Sequence, residues 1–245
     1  RREHAEKTRC PVCNASRYKK AGKKAPQKVV WYFPITPRLQ RYFVDPKETK
    51  VMRWHAERKE PDDGNDPRLR HLVDGSQWRA FNVVYGFAAE DPRNIMLGAS
   101  TDGMNPFGNQ NTNHSTWPVF VWMYNLPLWK CMKTKYIHMC MLIQGPKQPG
   151  NSINLYMGLL QEELDTLWKT PTWTWDTSKG EYFHMRAALM TTVHDYLGCG
   201  YTSGQVCHGY CGCTRCMDDT TSQQLTSTKD GGSGEIVYMG HRRWL

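Results

Sequence analysis

Two kinds of residue in this sequence are spaced so that they could do chemistry: cysteines in Cys-x-x-Cys turns, and aspartates that follow apolar runs. Cys10 and Cys13 form one turn, stiffened by Pro11, and Cys213 and Cys216 form a second. Zinc takes four tetrahedral ligands, and such a turn presents two thiolates at the right separation. His241, beyond a Gly/Ser/Thr-rich stretch at 226–235, is placed to bring a third ligand to the second pair, with Cys207, His208 and Cys211 as further candidates beside it. The partners of Cys10 and Cys13 are expected upstream of residue 1. A redox-active dithiol is the alternative reading of each pair, although neither follows a thioredoxin-like strand. Cys131, Cys140 and Cys199 read instead as small buried apolar residues.

The aspartates are Asp102 and Asp195. Two-metal phosphoryl transfer needs carboxylates held close together, and neighbouring strands supply them when Asp residues occupy the strand ends. Asp102 follows the apolar run Ile95–Ser100, and Asp195 follows a run that ends at Val193. Taken singly each is ordinary: Asp102-Gly103 is a common turn dipeptide, and Asp195 could terminate a strand or cap the next element. His194 is either a neighbour that supports Asp195 or a packed core histidine. His114 and Asn105, in the polar loop after Asp102, are candidates to line a cleft.

The elements that must position these aspartates are legible from hydrophobic pattern. Ile95 to Ser100, Val119 to Tyr124 and Tyr136 to Ile143 read as three strands, the third apolar enough to be central in a sheet. Residues 152–168 have helical spacing through Ile153, Tyr156, Leu160, Leu164 and Leu167, with Glu162 and Glu163 on the polar side. Trp173 to Trp175 suggests a small hairpin arm, and Phe183 to Val193 reads as one further strand. The order strand, strand, strand, helix, strand lets the first and last pair in parallel through the crossover helix. Upstream, Pro37 to Ala56 reads as short helices, and residues 74–85 as a helix capped by Asp74.

These readings divide the chain into four regions. Residues 1–28 are a Cys-x-x-Cys element with a basic linker, and 29–92 a mainly helical linker region. Residues 93–197 form the core of four strands and a helix, and 198–245 a cysteine-rich insertion carrying five of the nine Cys. The odd cysteine count fits metal binding in a reducing compartment better than a disulfide framework. No stretch approaches 18 apolar residues, so a membrane-spanning helix is not expected. The start has no apolar run behind its basic residues and is not a secretory signal; with no initiator Met, the chain reads as a segment of a larger protein. Its formal charge of +9 suits a polyanion partner without demonstrating one.

Along nearly its whole length the sequence resembles the transposases of plant CACTA (En/Spm-like) DNA transposons. The likeness lies in Cys10-Pro11-Val12-Cys13, in YFPITPRLQ at 32–40, in Met52-Arg53-Trp54-His55 and in LGASTDGMNPFG at 97–108. It continues through WPVFVWMYNLPLW at 117–129, LIQGPKQPGN at 142–151, MRAALMTTVHDY at 185–196, GCTRCMDDT at 212–220 and YMGHRRWL at 238–245. The resemblance implies an α/β fold: an incomplete ribonuclease-H-like mixed sheet, with a zinc-binding insertion and an N-terminal zinc-knuckle remnant. It makes Asp102 and Asp195 the first two residues of a DDE/D set that binds Mg²⁺ or Mn²⁺, and places the last acidic residue beyond residue 245. It makes Cys213, Cys216 and His241 zinc ligands. The Cys207–Cys211 addition departs from the family pattern. The implied activity is cleavage and transfer of DNA strands at transposon ends in the nucleus, with possible self-association. The present stretch alone is expected to be inactive. The competing reading is a non-catalytic DNA-binding or protein-interaction module derived from a transposon remnant.

Overall fold

The computed structural model describes residues 4–11, 13–20, 24–58, 69–86, 90–108, 114–206, 208–214, 216–225 and 235–239. Its centre is a five-stranded sheet in the order β1-β4-β3-β2-β7. The strands are β1 (Val30–Tyr32), β2 (Ile95–Thr101), β3 (Trp117–Met123), β4 (His138–Ile143) and β7 (Ala187–Val193). β2, β3 and β4 form an antiparallel meander, and β7 lies parallel to β2. This is a mixed α/β sheet consistent with ribonuclease-H-like topology.

The helices are α1 (Thr36–Gln40), α2 (Pro46–Met52), α3 (Trp54–Glu57), α4 (Ser76–Val84), α5 (Leu128–Cys131), α6 (Ile153–Lys169) and α7 (Tyr196–Ser203). Two cores explain why β2 and β3 are apolar on both faces. Ile95, Leu97 and Ala99 of β2 join Val119, Val121, Met123, Ile153, Leu160 and Leu167 in the larger one. Met96 points the other way, into a cluster with Trp78, Trp122, Tyr124 and Ala188. Fully burying one such side chain contributes roughly 1.5–3 kcal/mol, so the register of β2 is strongly specified. Ile35, Leu39, Phe43 and Met52 also lie in the larger core, and β1 pairs with β4, so residues 30–52 are built into the same body.

The structure departs from the sequence reading at three joints. The run from Phe183 to Val193 is two strands rather than one. Its first part belongs to a hairpin of β5 (Thr172–Asp176) and β6 (Glu181–Met185). The break falls at Arg186, whose amide donates to Asn94 Oδ1 (3.0 Å) and whose carbonyl accepts from the Ile95 amide (2.8 Å). Asp74 does not cap α4, which starts from Gly75; it closes a capping box on the preceding 3-10 turn, Leu72–Asp74. Glu163 is not on a polar face of α6. It reaches the start of α1, accepting from the amides of Ile35 (3.1 Å) and Thr36 (2.8 Å), the Thr36 hydroxyl and the Tyr32 hydroxyl. Hydrogen bonds from Thr36 and Tyr32 outweigh the upward push of burial and hold its carboxyl below the ordinary range.

Candidate active site

β2 and β7 run parallel, with Ser100 opposite Val193 as the last aligned pair. Asp102 and Asp195 each lie two residues beyond that pair, so the structure brings the two aspartates to neighbouring strand ends in matched register. Both are exposed. Carboxyl ends of strands in open α/β sheets are where ligands are held, because the chain there turns into loops and helix N-termini.

Local structure around each aspartate is tightly specified. Before Asp102, Thr101 is buried and its hydroxyl donates to the Pro118 carbonyl (2.8 Å). Asp102 accepts the Gly103 amide through Oδ1 (2.6 Å), and Met104 then bridges to Thr116 by a pair of 2.8 Å backbone bonds. This doubling-back needs a glycine: a Cβ at residue 103 would lie 2.8 Å from Ser115 Oγ and 2.9 Å from Trp117 Nε1. The Asp102-Gly103 pair is therefore more than a generic turn.

Asp195 is the N-cap of α7, its Oδ1 accepting the Gly198 amide at 2.6 Å. Gly198 is buried against the end of β2; a Cβ there would stand 2.6 Å from Asp195 Oδ1 and 3.4 Å from the Thr101 carbonyl oxygen. Nothing in the sequence pattern singles out Gly198; its role follows from the close packing of the first turn of α7 against the cap. Nor does the pattern single out Thr101, which meets the ring of His194: Nδ1 lies 3.3 Å from the Thr101 nitrogen and 3.2 Å from its carbonyl oxygen.

The other candidates have local roles. Asn105 Oδ1 accepts the Phe107 amide (3.0 Å), closing a turn. His114 packs edge-on against Phe107, ring centroids 4.9 Å apart, and its Nδ1 lies 3.4 Å from the Thr116 hydroxyl.

The cysteine pairs sit far from one another in sequence and in different settings. Cys10 and Cys13 occupy a loop closed by the Arg9–Ser16 bridge, with the Cys10 amide donating to Ala15 (2.9 Å) and Asn14 in the left-handed region at φ 55°. In the second pair the Cys216 amide donates to Cys213 Sγ (3.3 Å). This segment is fastened to α7 by Tyr196 donating to the Gly212 carbonyl and by Cys199 Sγ 3.7 Å from the Thr214 hydroxyl. Cys199 is thus half-buried at a contact, whereas Cys131 and Cys140 are buried as expected. Burial pushes the Cys140 thiol up to about 12, which makes it inert at neutral pH. Among the described residues no group of three or more His, Cys, Asp or Glu could hold a metal ion. The expected zinc centres are therefore not assembled there: two thiols alone do not make a tetrahedral site. His241 and Cys207 lie outside the described residues.

The comparison with protein families adds to this geometry of a mixed sheet with acidic residues at the ends of its parallel pair. Residues 66–245, most of the chain, match the model for transposase family tnp2, and the chain belongs to that family. A search of curated proteins finds no significant match. Among the described residues no helix is long and apolar enough to cross a membrane.

Proposed function

We propose that this chain is part of the catalytic region of a DDE/D transposase of the plant CACTA type, acting on DNA in the nucleus, with Asp102 and Asp195 as two of its acidic residues. The observation that carries this reading is the pair of exposed carboxylates in matched register beyond Ser100 and Val193, in a chain of a transposase family. Among the described residues, each carboxylate accepts one backbone amide through Oδ1. Their remaining oxygens are hard donors, which suit Mg²⁺ or Mn²⁺. When bound, such cations activate the attacking water or 3′-OH and stabilise the leaving oxygen of the phosphodiester.

The chain's own contribution is positional. The Thr101 hydroxyl and the Gly103 turn hold Asp102 at the mouth of β2, and the α7 cap holds Asp195 beside it. Lys and Arg side chains, which outnumber acidic ones 32 to 23, would grip the DNA backbone and confer salt-dependent affinity without sequence preference. Cys213 and Cys216, with His241, are proposed as ligands of a structural zinc bracing the segment after α7. Cys10 and Cys13 are proposed as half of another such site.

The direct test is Mg²⁺- or Mn²⁺-dependent nicking of transposon-end DNA, with Asp102→Ala and Asp195→Ala as controls. Loss of nicking in both supports the assignment, and nicking that survives both removes it. DNA binding with no cation-dependent nicking by the full-length transposase would favour the non-catalytic module. For zinc, stoichiometry should fall when Cys213 and Cys216 become Ser; an unchanged value rules the pair out as ligands.

A further inference from the structure

We propose that His194 is a positioning residue that sets the relative placement of Asp102 and Asp195. The inference rests on reading those two carboxylates as a cation-binding pair, and it assigns the element that keeps them together. Backbone pairing between β2 and β7 ends at Ser100 and Val193. One residue further on, the imidazole Nδ1 of His194 meets both the nitrogen (3.3 Å) and the carbonyl oxygen (3.2 Å) of Thr101. A side chain takes over where the ladder stops. It ties the residue before Asp195 to the residue before Asp102.

Three features separate this from simple packing. Thr101 is fixed from its other side by the hydroxyl bond to Pro118, so the His194 contact anchors β7 to a rigid point. The neighbouring Gly198 has no room for a Cβ, so the first turn of α7 closes over the same carbonyl, 3.4 Å from where that Cβ would be. Finally, Nε2 of His194 is buried with no hydrogen-bond partner among the described residues. A hydrocarbon of the same size would fill that volume without stranding a polar atom, so packing does not account for a histidine here. The Nδ1 contact does.

The test uses Mn²⁺ alone as probe, its affinity measured by electron paramagnetic resonance titration, with thermal midpoints recorded for every variant. An Asn amide reaches the position of Nδ1, and a Gln amide the position of Nε2. His194→Asn should keep wild-type Mn²⁺ affinity, while His194→Gln and His194→Leu should weaken it by about tenfold, as loss of an outer supporting bond does at other metal sites. Wild-type affinity in His194→Leu would overturn the proposal, since only volume is kept there. So would equal loss in the Asn and Gln variants. Should His194→Leu not fold, the Asn and Gln pair carries the same comparison. Asp102→Asn and Asp195→Asn distinguish the two levels: if neither alters Mn²⁺ affinity, the carboxylate pair itself is misread; if both do, the His194 variants decide this inference alone.

Discussion

The two ends of the parallel β2–β7 pair treat their acids in opposite ways. At the N-terminal end, where Arg93 precedes β2 and the β5–β6 hairpin precedes β7, Asp176 is fully buried and its oxygens are claimed. It accepts from Arg93 (3.2 Å), Arg53 (3.4 Å), the Ser178 hydroxyl (2.7 Å) and the amides of Ser178 (2.9 Å) and Lys179 (3.2 Å). Burial pushes its carboxyl up, but the Ser178 and Arg93 bonds prevail and hold it below the ordinary range. Arg93 also lies 4.1 Å from the Phe183 ring and bonds Asp91 and Glu181, so one network locks the hairpin to the sheet. At the C-terminal end, Asp102 and Asp195 are exposed and each takes one backbone amide. An ionised carboxylate offers about four lone-pair sites. Where they are filled from within the acid is structural, and where they are left open to solvent it is available for chemistry.

The largest effect expected from this contrast is on stability. Asp176→Ala removes the buried acceptor shared by Arg93 and Arg53; because Arg93 keeps Asp91 and Glu181 and Arg53 keeps Glu57, the cost should lie towards the lower side of the about 3–5 kcal/mol of a broken buried pair. Urea unfolding should register it as a lower midpoint at unchanged slope. A loss below about 1 kcal/mol would mean that the network is dispensable and the contrast of the two ends unfounded.

The same end should carry the acid sensitivity. His55 is held by desolvation, and secondarily by the nearby charge of His71, at about 4. The unfolded chain protonates near the ordinary value of 6.5 and the folded chain does not, so folding stability falls as pH drops from 6.5 towards 4. The total is on the order of 3 kcal/mol. His55→Gln should flatten that window in a pH series of unfolding midpoints, and an unaltered slope would place the proton uptake elsewhere. Asp74 contributes at lower pH. The Arg58 bond holds it near 2, so its share is present above its ordinary 3.8 and lost as pH falls towards 2.

How much of this was legible in sequence depends on whether a role is read from spacing or from a partner. β2, β3, β4 and α6 follow apolar runs and a helical period, because one face or two must be buried. The carboxylates at 102 and 195 were legible because strand ends are marked by where those runs stop. The hairpin was visible in Trp173 to Trp175, but its boundary with β7 was not, since the switch of sheets is made by the Asn94 side chain 92 residues away from Arg186. Glu163 was misplaced for the same reason: its partners at Tyr32 and Thr36 are more than 120 residues off. His194 looked like either of two ordinary histidines, because its contact depends on where a ladder ends. Only the fold decides that.

The smallest effects sharpen the comparison most, because they separate the two exposed acids from each other. Asp195 caps α7, so Asp195→Ala should cost about 1 kcal/mol, while Asp195→Asn, which keeps the capping oxygen, should retain most of it. Among the described residues Asp102 accepts only the amide of the next residue, at an exposed turn. Its replacement by Ala belongs with surface substitutions, within about 0.5 kcal/mol of wild type. Denaturant unfolding of the three variants side by side gives the ordering. If Asp102→Ala is as damaging as Asp195→Ala, Asp102 has a structural partner and its open oxygens no longer argue for chemistry. If it is silent in stability yet abolishes cation binding, the residue has no other role in the fold. Its presence at the mouth of β2 is then explained by the cation.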